Sequence, residues 1–245
     1  MQPIAALTSD LGEITVYRNA SNGTVLYAQG DCFQSEADSG GISLAPYIHA
    51  LHHFVLQTGA ARVLMIGCGG GTLATLLART GIAVAIVDID RAAFDVARRY
   101  FALPGIVSCH VGDGEAFLRA TRERYDAIVL DAYDGDRIPQ HLCTRRFLAL
   151  AAERLAPARG CFLANVHVHH DLDTMPDRLA VEMAKVWRDV RVLDTRGRAK
   201  RNAIVMGGAV AAIAPPRMVE RPAIAADEIA EEIGLMRFRP FLDRA

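Results

Sequence analysis

The chain has 245 residues, with 27 Lys plus Arg against 28 Asp plus Glu, a formal net charge of −1 and 51% hydrophobic residues. This composition excludes a mainly disordered chain and a nucleic-acid binder driven by bulk positive charge. The length suits one large domain, alone or with a small appendage. The charge balance is uneven along the chain: residues 88–136 hold six basic and ten acidic side chains, a net of −4, while residues 137–245 hold 18 basic and 13 acidic.

In chain order, the first forty residues read as β. Glu13–Arg18 alternates, Asn22-Gly23 marks a hairpin, and Thr24–Ala28 returns toward Gly30-Asp31. Ser35–Gly41, small and acidic, reads as a loop, and Leu44, Ile48, Leu51 and Val55 then give a helical spacing up to Gln57. From Arg62 onward strands and helices alternate. Apolar runs at Val63–Ile66, Val84–Val87, Val107–Val111, Ala127–Leu130 and Cys161–Val166 are separated by helical segments at Thr72–Arg79, Arg91–Tyr100, Glu115–Arg122 and Arg145–Leu155. A helix at Asp177–Val186, strands at Arg191–Asp194 and Ala203–Gly207, and a capped helix at Asp227–Met236 complete the series. Continuous apolar strands between helices predict a mostly parallel sheet covered on both faces. The expected organisation is a small β domain over 1–44, a Rossmann-like nucleoside-binding domain over 45–210, and a Pro-containing linker with a helix over 211–245.

In such sheets ligands bind at the carboxyl ends of the strands. Here those ends carry the run Gly67-Cys68-Gly69-Gly70-Gly71, then Asp88, Asp113, Asp131 and Asp134. The glycines allow a sharp turn and close approach of a ligand to the backbone. Asp88, twenty-one residues after Gly67, stands where a carboxylate accepts both hydrogen bonds from a ribose diol. Asp113, between Gly112 and Gly114, suits either an adenine contact or a helix N-cap. The pattern serves a dinucleotide or a phosphate-free S-adenosyl ligand.

These residues resemble the spermidine synthase family of aminopropyltransferases. The resemblance rests on Val63–Gly70, Val87-Asp88-Ile89-Asp90, Gly112-Asp113-Gly114, Asp131-Ala132-Tyr133-Asp134, Leu142–Phe147, and Leu155-Ala156-Pro157 with Gly160, and it spans about Ile14 to Gly207. It implies a class I methyltransferase-like fold, with a seven-stranded sheet behind a small antiparallel β domain. It also implies transfer of an aminopropyl group from decarboxylated S-adenosylmethionine to a diamine such as putrescine, with no metal, and a homodimer. Gly67, Gly69, Gly70, Ile89 and Gly114 would line the nucleoside site, Asp88 would hold the ribose, Asp113 the adenine, and Gln34, at the end of the last N-terminal strand, would reach the nucleoside. Asp131 would take the proton of the attacking amine, Asp134 would anchor a second amine, and Tyr133 would line the pocket or pack behind it. A carboxylate beside a sulfonium attracts, orients and deprotonates an ammonium acceptor. Three departures stand out: the glycine loop is one residue shorter than the family's and lacks its Asp, Gly135 follows Asp134 where the family has Pro, and Pro46-Tyr47-Ile48-His49 only partly resembles the family's Tyr-His-Glu segment.

The loop without an acid favours a runner-up, a methyltransferase using S-adenosylmethionine itself. A non-catalytic nucleoside-binding protein and a nicotinamide dehydrogenase rank below it. Elsewhere, His167, His169 and His170 read as surface or pocket histidines rather than a metal site. His49, His52 and His53 are expected toward solvent or the β domain, His141 on the surface, and Arg196, Arg198, Lys200 and Arg201 in a solvated turn. Five cysteines without a CxxC pair suggest reduced, buried thiols. No run of about 18 apolar residues predicts a membrane helix, and Met1-Gln2-Pro3-Ile4 does not read as a signal peptide. The expectation is a cytoplasmic protein with neither membrane nor nucleic-acid partners.

Overall fold

Two hydrophobic rhythms, alternating before residue 40 and continuous after residue 62, build two sheets. A computed structural model describes residues 1–30 and 32–242. Asp31, expected at a strand end, and residues 243–245 of the C-terminal segment lie outside the described residues. The first sheet is an antiparallel meander of β1 (Gln2–Ser9), β2 (Gly12–Arg18), β3 (Val25–Gln29) and β4 (Cys32–Ala37). Strand β1 has no fully buried residue, so no clean alternation announces it in the sequence. Residues 35–37, expected in a loop, form the end of β4, because pairing with β3 supplies the ladder that their small, acidic composition does not advertise. Gln34 is therefore within the strand, not at its end. The register shifts there: Phe33 faces Ala28 and Ser35 faces Tyr27, which leaves Gln34 as the extra residue of a bulge.

After α1 (Pro46–Gln57) come β5 (Arg62–Ile66), α2 (Thr72–Arg79), β6 (Ala83–Asp88), α3 (Arg91–Tyr100), β7 (Ser108–Val111), α4 (Gly114–Ala120) and β8 (Ala127–Leu130). A 3-10 turn (Gln140–Cys143), α5 (Arg145–Arg154), β9 (Cys161–Val168), α6 (Met175–Ala184), β10 (Val190–Asp194), β11 (Arg201–Gly208), α7 (Ala226–Leu235) and β12 (Arg237–Arg239) follow. The second sheet has eight strands in the order β12-β10-β11-β9-β8-β5-β6-β7. Strands β9, β8, β5, β6 and β7 run parallel, and β11 and β12 pair antiparallel to their neighbours. The eighth strand, β12, is the short C-terminal piece added to the seven expected. The architecture is the α/β, Rossmann-like class I methyltransferase fold with a small antiparallel N-terminal sheet. The chain leaves β5 toward β6 on one side and β8 on the other, so a crevice opens at the carboxyl ends of these strands.

Strand alternation splits the main core into two layers. Val63 and Met65 face a cluster with Leu51, Phe54, Leu73 and Leu77, while Leu64 and Ile66 face Leu118, Phe147 and Leu148 on the other side. A third cluster docks the first sheet: Ile14, Val16, Val25 and Tyr27 pack on Val96 of α3 and on Phe101. The C-terminal segment returns over α1, with Ile229, Ile233 and Met236 buried and the Arg217 N–H donating to His53 Nδ1 at 3.1 Å.

Two expectations are corrected here. His49 and His52 do not face solvent; both are buried, because α1 is covered by the main sheet, α2 and α7. His49 Nε2 meets the Ser43 carbonyl at 2.8 Å, whereas neither ring nitrogen of His52 has a partner among the described residues. Burial pushes the His52 pKa down to about 4. Arg201 is likewise not part of a solvated tip. It is buried against Asp194 at 2.6 Å, and Arg239 from β12 shares the same carboxylate at 2.9 Å, which ties the added strand to the sheet.

Candidate active site

The glycine loop joins β5 to α2, and its shape is dictated by what lies against it. Gly67 has φ 101°, and a Cβ there would stand 2.2 Å from the Asp131 carbonyl oxygen. Only glycine lets the loop pass so close to the end of β8. On the other side, a side chain on Gly70 would meet Ser35 and Phe101 at under 3 Å. Ser35, which no sequence motif marked, accepts the Gly70 N–H at 2.8 Å. The loop's N–H groups are largely used internally: Gly67 donates to the Val87 carbonyl, Cys68 to Asp88 at 2.7 Å, and Gly71 to the Cys68 carbonyl. They are therefore poorly placed to cradle a pyrophosphate.

Asp88 ends β6. One carboxylate oxygen accepts the Cys68 N–H and the other the Asp90 N–H at 2.8 Å, so the residue shapes the loop while keeping lone pairs for a ligand. Burial outweighs these bonds and raises its pKa. Asp113 caps α4, accepting the Ala116 N–H at 2.8 Å, and its second oxygen meets His141 Nε2 at 2.8 Å. Burial opposes its charge, but the Ala116 N–H, His141 and the Glu115 N–H together hold the carboxyl below its usual range. His141 is exposed, as expected, and also stands at the mouth of the site. With Gln34, Gly67, Gly69, Ile89 and Gly114, these residues line one cleft. Among the described residues no Lys or Arg lines it. Ile89 is largely exposed at its rim, and a Cβ on Gly114 would collide with Ile66. Gly70 supports the loop from behind, against Ser35 and Phe101.

Asp131 directly follows β8. Its two oxygens are held from two distant elements: Asn165 Nδ2 of β9 donates at 2.8 Å, and the Tyr47 hydroxyl of α1 donates at 3.3 Å. Asn202 of β11 donates in turn to Asn165 at 2.9 Å. Burial raises the Asp131 pKa, partly countered by Asn165 and Tyr47. Burial, then the charge of Asp131, keeps the Tyr47 phenol protonated. Tyr133 is anchored behind this carboxylate, donating to the Asn165 carbonyl and accepting the His167 N–H, each at 2.9 Å. Asp134 is exposed in a tight turn with Arg137 and lines neither this cleft nor the next; the structure does not bring it to the other site residues.

A second cleft meets the first at Gln34, Cys68, Gly69, Asp131 and Tyr133. It is lined further by Glu36, Tyr47, Asp136, Asn165, His167 and His169. Asp136, two residues beyond Asp134, pairs with His169 at 3.2 Å. Among the described residues no group of three or more His, Cys, Asp or Glu side chains is disposed to hold a metal ion.

A family model for the spermine/spermidine synthase domain matches residues 45–187, which carry the glycine loop, Asp88, Asp113 and Asp131. The chain belongs to this family. Similar members include a polyamine aminopropyltransferase of Vibrio vulnificus, 33% identical over 128 residues that make up 49% of this chain and 42% of that protein. Putrescine N-methyltransferase 2 of Nicotiana attenuata is 32% identical over 160 residues, 61% of this chain and 42% of that one. The matched segments thus span less than half the length of these curated relatives. Among solved structures, a protein described as a probable spermidine synthase from Corynebacterium glutamicum superposes with a TM-score of 0.76 at 20% identity, covering 96% of this chain and 90% of the other. That likeness establishes the shared fold.

Tyr47, Asn165, Asn202, Ser35 and Glu36 escaped sequence reasoning. The partial likeness of Pro46-Tyr47-Ile48-His49 to a family segment was the one available signal, for Tyr47. Among the described residues no helix is long and apolar enough to cross a membrane.

Proposed function

We propose that the protein transfers an aminopropyl group from decarboxylated S-adenosylmethionine to a small amine such as putrescine, with Asp131 as base. The observation that carries this reading is the meeting of two clefts at one half-buried carboxylate of raised pKa, fixed by Asn165 and Tyr47. The nucleoside occupies the cleft of Asp88 and Asp113, whose strand-end carboxylates and lack of Lys or Arg suit a cationic, phosphate-free ligand better than a dinucleotide. The amine enters from the second cleft. Its nitrogen lone pair attacks the methylene carbon bonded to the sulfonium, the carbon–sulfur bond breaks, and its electrons remain on sulfur as a neutral thioether. Asp131 attracts the incoming ammonium and accepts the proton that the amine sheds; a raised pKa makes it a stronger base than a surface carboxylate. Membership of the family, and a relative described as a polyamine aminopropyltransferase, support the same chemistry.

The second reading is methyl transfer from S-adenosylmethionine to an amine. The glycine loop without an acidic side chain and the similarity to a putrescine N-methyltransferase favour it. Calorimetric titration with decarboxylated S-adenosylmethionine, S-adenosylmethionine and NAD, followed by turnover with putrescine, decides between the readings. Binding of the decarboxylated donor with formation of spermidine is expected; binding of S-adenosylmethionine alone with methyl transfer replaces the first reading by the second. Binding of NAD alone overturns both.

A further inference from the structure

Glu36 stands in the second cleft with no structural occupation. It follows the Gln34 bulge by two residues, and the cleft it lines also holds Asp131, Ser35, Gly69 and Thr72. Among the described residues no donor lies within hydrogen-bond reach of its carboxylate, and it forms no ion pair. It is half-buried, and burial pushes its pKa up. Lys200 lines the same cleft but forms no ion pair with Glu36 among the described residues. The other carboxylates that line the two clefts all have partners: Asp88 holds the glycine loop, Asp90 caps α3, Asp113 caps α4, Asp131 is fixed by Asn165, and Asp136 pairs with His169. A half-buried carboxylate that lines a cleft and has no partner among the described residues is available to a ligand.

The surroundings define that ligand. Leu26, the cross-strand partner of Glu36, and the exposed Phe33 give the cleft apolar surface, and the glycine loop carries no acid that could take a cation. Three N–H donors on a compact charge, carried by a short methylene chain, match a single carboxylate above an apolar wall. Resting on the proposed function, we propose that Glu36 is the specificity-determining anchor for a primary alkylammonium group on a short aliphatic chain. The aminopropyl tail of the donor and the far end of a diamine acceptor both present this chemistry. A donor carrying an α-carboxylate beside the ammonium would be disfavoured by the same residue, through like-charge repulsion.

The test uses the full chain, with Glu36→Gln and Glu36→Asp beside the wild type. Affinities for decarboxylated S-adenosylmethionine, S-adenosylmethionine and 5′-methylthioadenosine are measured by calorimetry, and KM and kcat are measured with putrescine. Glu36→Gln is expected to weaken one ammonium-bearing ligand by about tenfold or more, in line with a lost charged hydrogen bond. 5′-Methylthioadenosine, which lacks the ammonium, should bind within twofold of wild type, and Glu36→Asp should recover part of the loss. A rise in the donor Kd assigns the anchor to the donor; a rise in putrescine KM with the donor Kd unchanged assigns it to the acceptor. Unchanged constants in a wild type that turns over, or equal weakening of 5′-methylthioadenosine, overturn the inference alone. A wild type that binds no S-adenosyl compound overturns the functional reading and this inference together.

Discussion

The two clefts that meet at Asp131 are built in opposite ways. On the nucleoside side main-chain N–H groups are the chief partners: Asp88 accepts the Cys68 and Asp90 N–H groups, and Asp113 caps the helix that begins at the next residue, with the His141 side chain on its other oxygen. On the other side Asp131 is held by side chains from α1 and β9, 84 and 34 residues away. The nucleoside cleft is thus part of the fold's own hydrogen bonding, while the second cleft is a superimposed set of side-chain contacts. Residues of the first cannot be changed without disturbing the loops; residues of the second can.

The sharpest way to break this contrast is Asp131→Asn. An amide at 131 still accepts from Asn165 and can donate to Tyr47, so folding should be little affected. Turnover should fall by about 10²–10⁴-fold, the usual contribution of a positioned base, with nucleoside affinity within about twofold. Steady-state rates, calorimetry and a melting curve check it; equal loss of binding and rate would make Asp131 a structural cap. Asp88→Asn should behave differently. Its amide group would face an N–H donor at Cys68 or Asp90, so donor binding should weaken by about 10–100-fold and Tm should drop as well. A variant with weakened binding and an unchanged Tm would dissolve the distinction drawn between the clefts.

Helix α1, which delivers Tyr47 to the second cleft, also buries His52 with both ring nitrogens unpartnered among the described residues. The folded state holds this imidazole at about 4, below the ordinary value near 6.5, so the unfolded chain binds the extra proton between these pH values. Stability is therefore full above pH 6.5 and is lost as pH falls toward 4, by about 2 kcal/mol between pH 8 and pH 5. His52→Leu should remove that part of the pH dependence in denaturant unfolding; an unaltered difference between the two pH values would refute it. The smallest effect belongs to Tyr47→Phe. Losing a donor that holds the Asp131 pKa down should move the acid limb of the pH–rate profile to higher pH, with a rate loss of a few fold at neutral pH. Asn165→Leu should shift the same limb further, since its bond to Asp131 is shorter.

The legible part of the site was the part that is local in sequence. A buried strand, a glycine run and a carboxylate at the next strand end form one continuous supersecondary unit, and the glycine loop, Asp88 and Asp113 fall where that unit requires them. Asp134 illustrates the limit. It shares the motif after β8 with Asp131, yet the turn at Gly135 leaves it exposed and turns Asp136 toward the cleft. Position within a loop does not set the direction of a side chain when the backbone reverses every few residues.

By itself, the sequence determined the alternation of apolar strands and helices, hence a sheet with a crevice at its carboxyl ends, and the carboxylates beside that crevice. Apolar periodicity and turn chemistry are properties of neighbouring residues, so they are written where they act. Only the tertiary structure decided that Ser35 closes the glycine loop, that Tyr47 and Asn165 clamp Asp131, and that Glu36 lines the second cleft. Each of these depends on the docking of the first sheet and α1 against the second, or on the pairing of β9 beside β8. Those placements are set by the packing of whole faces, which no single stretch of the chain encodes.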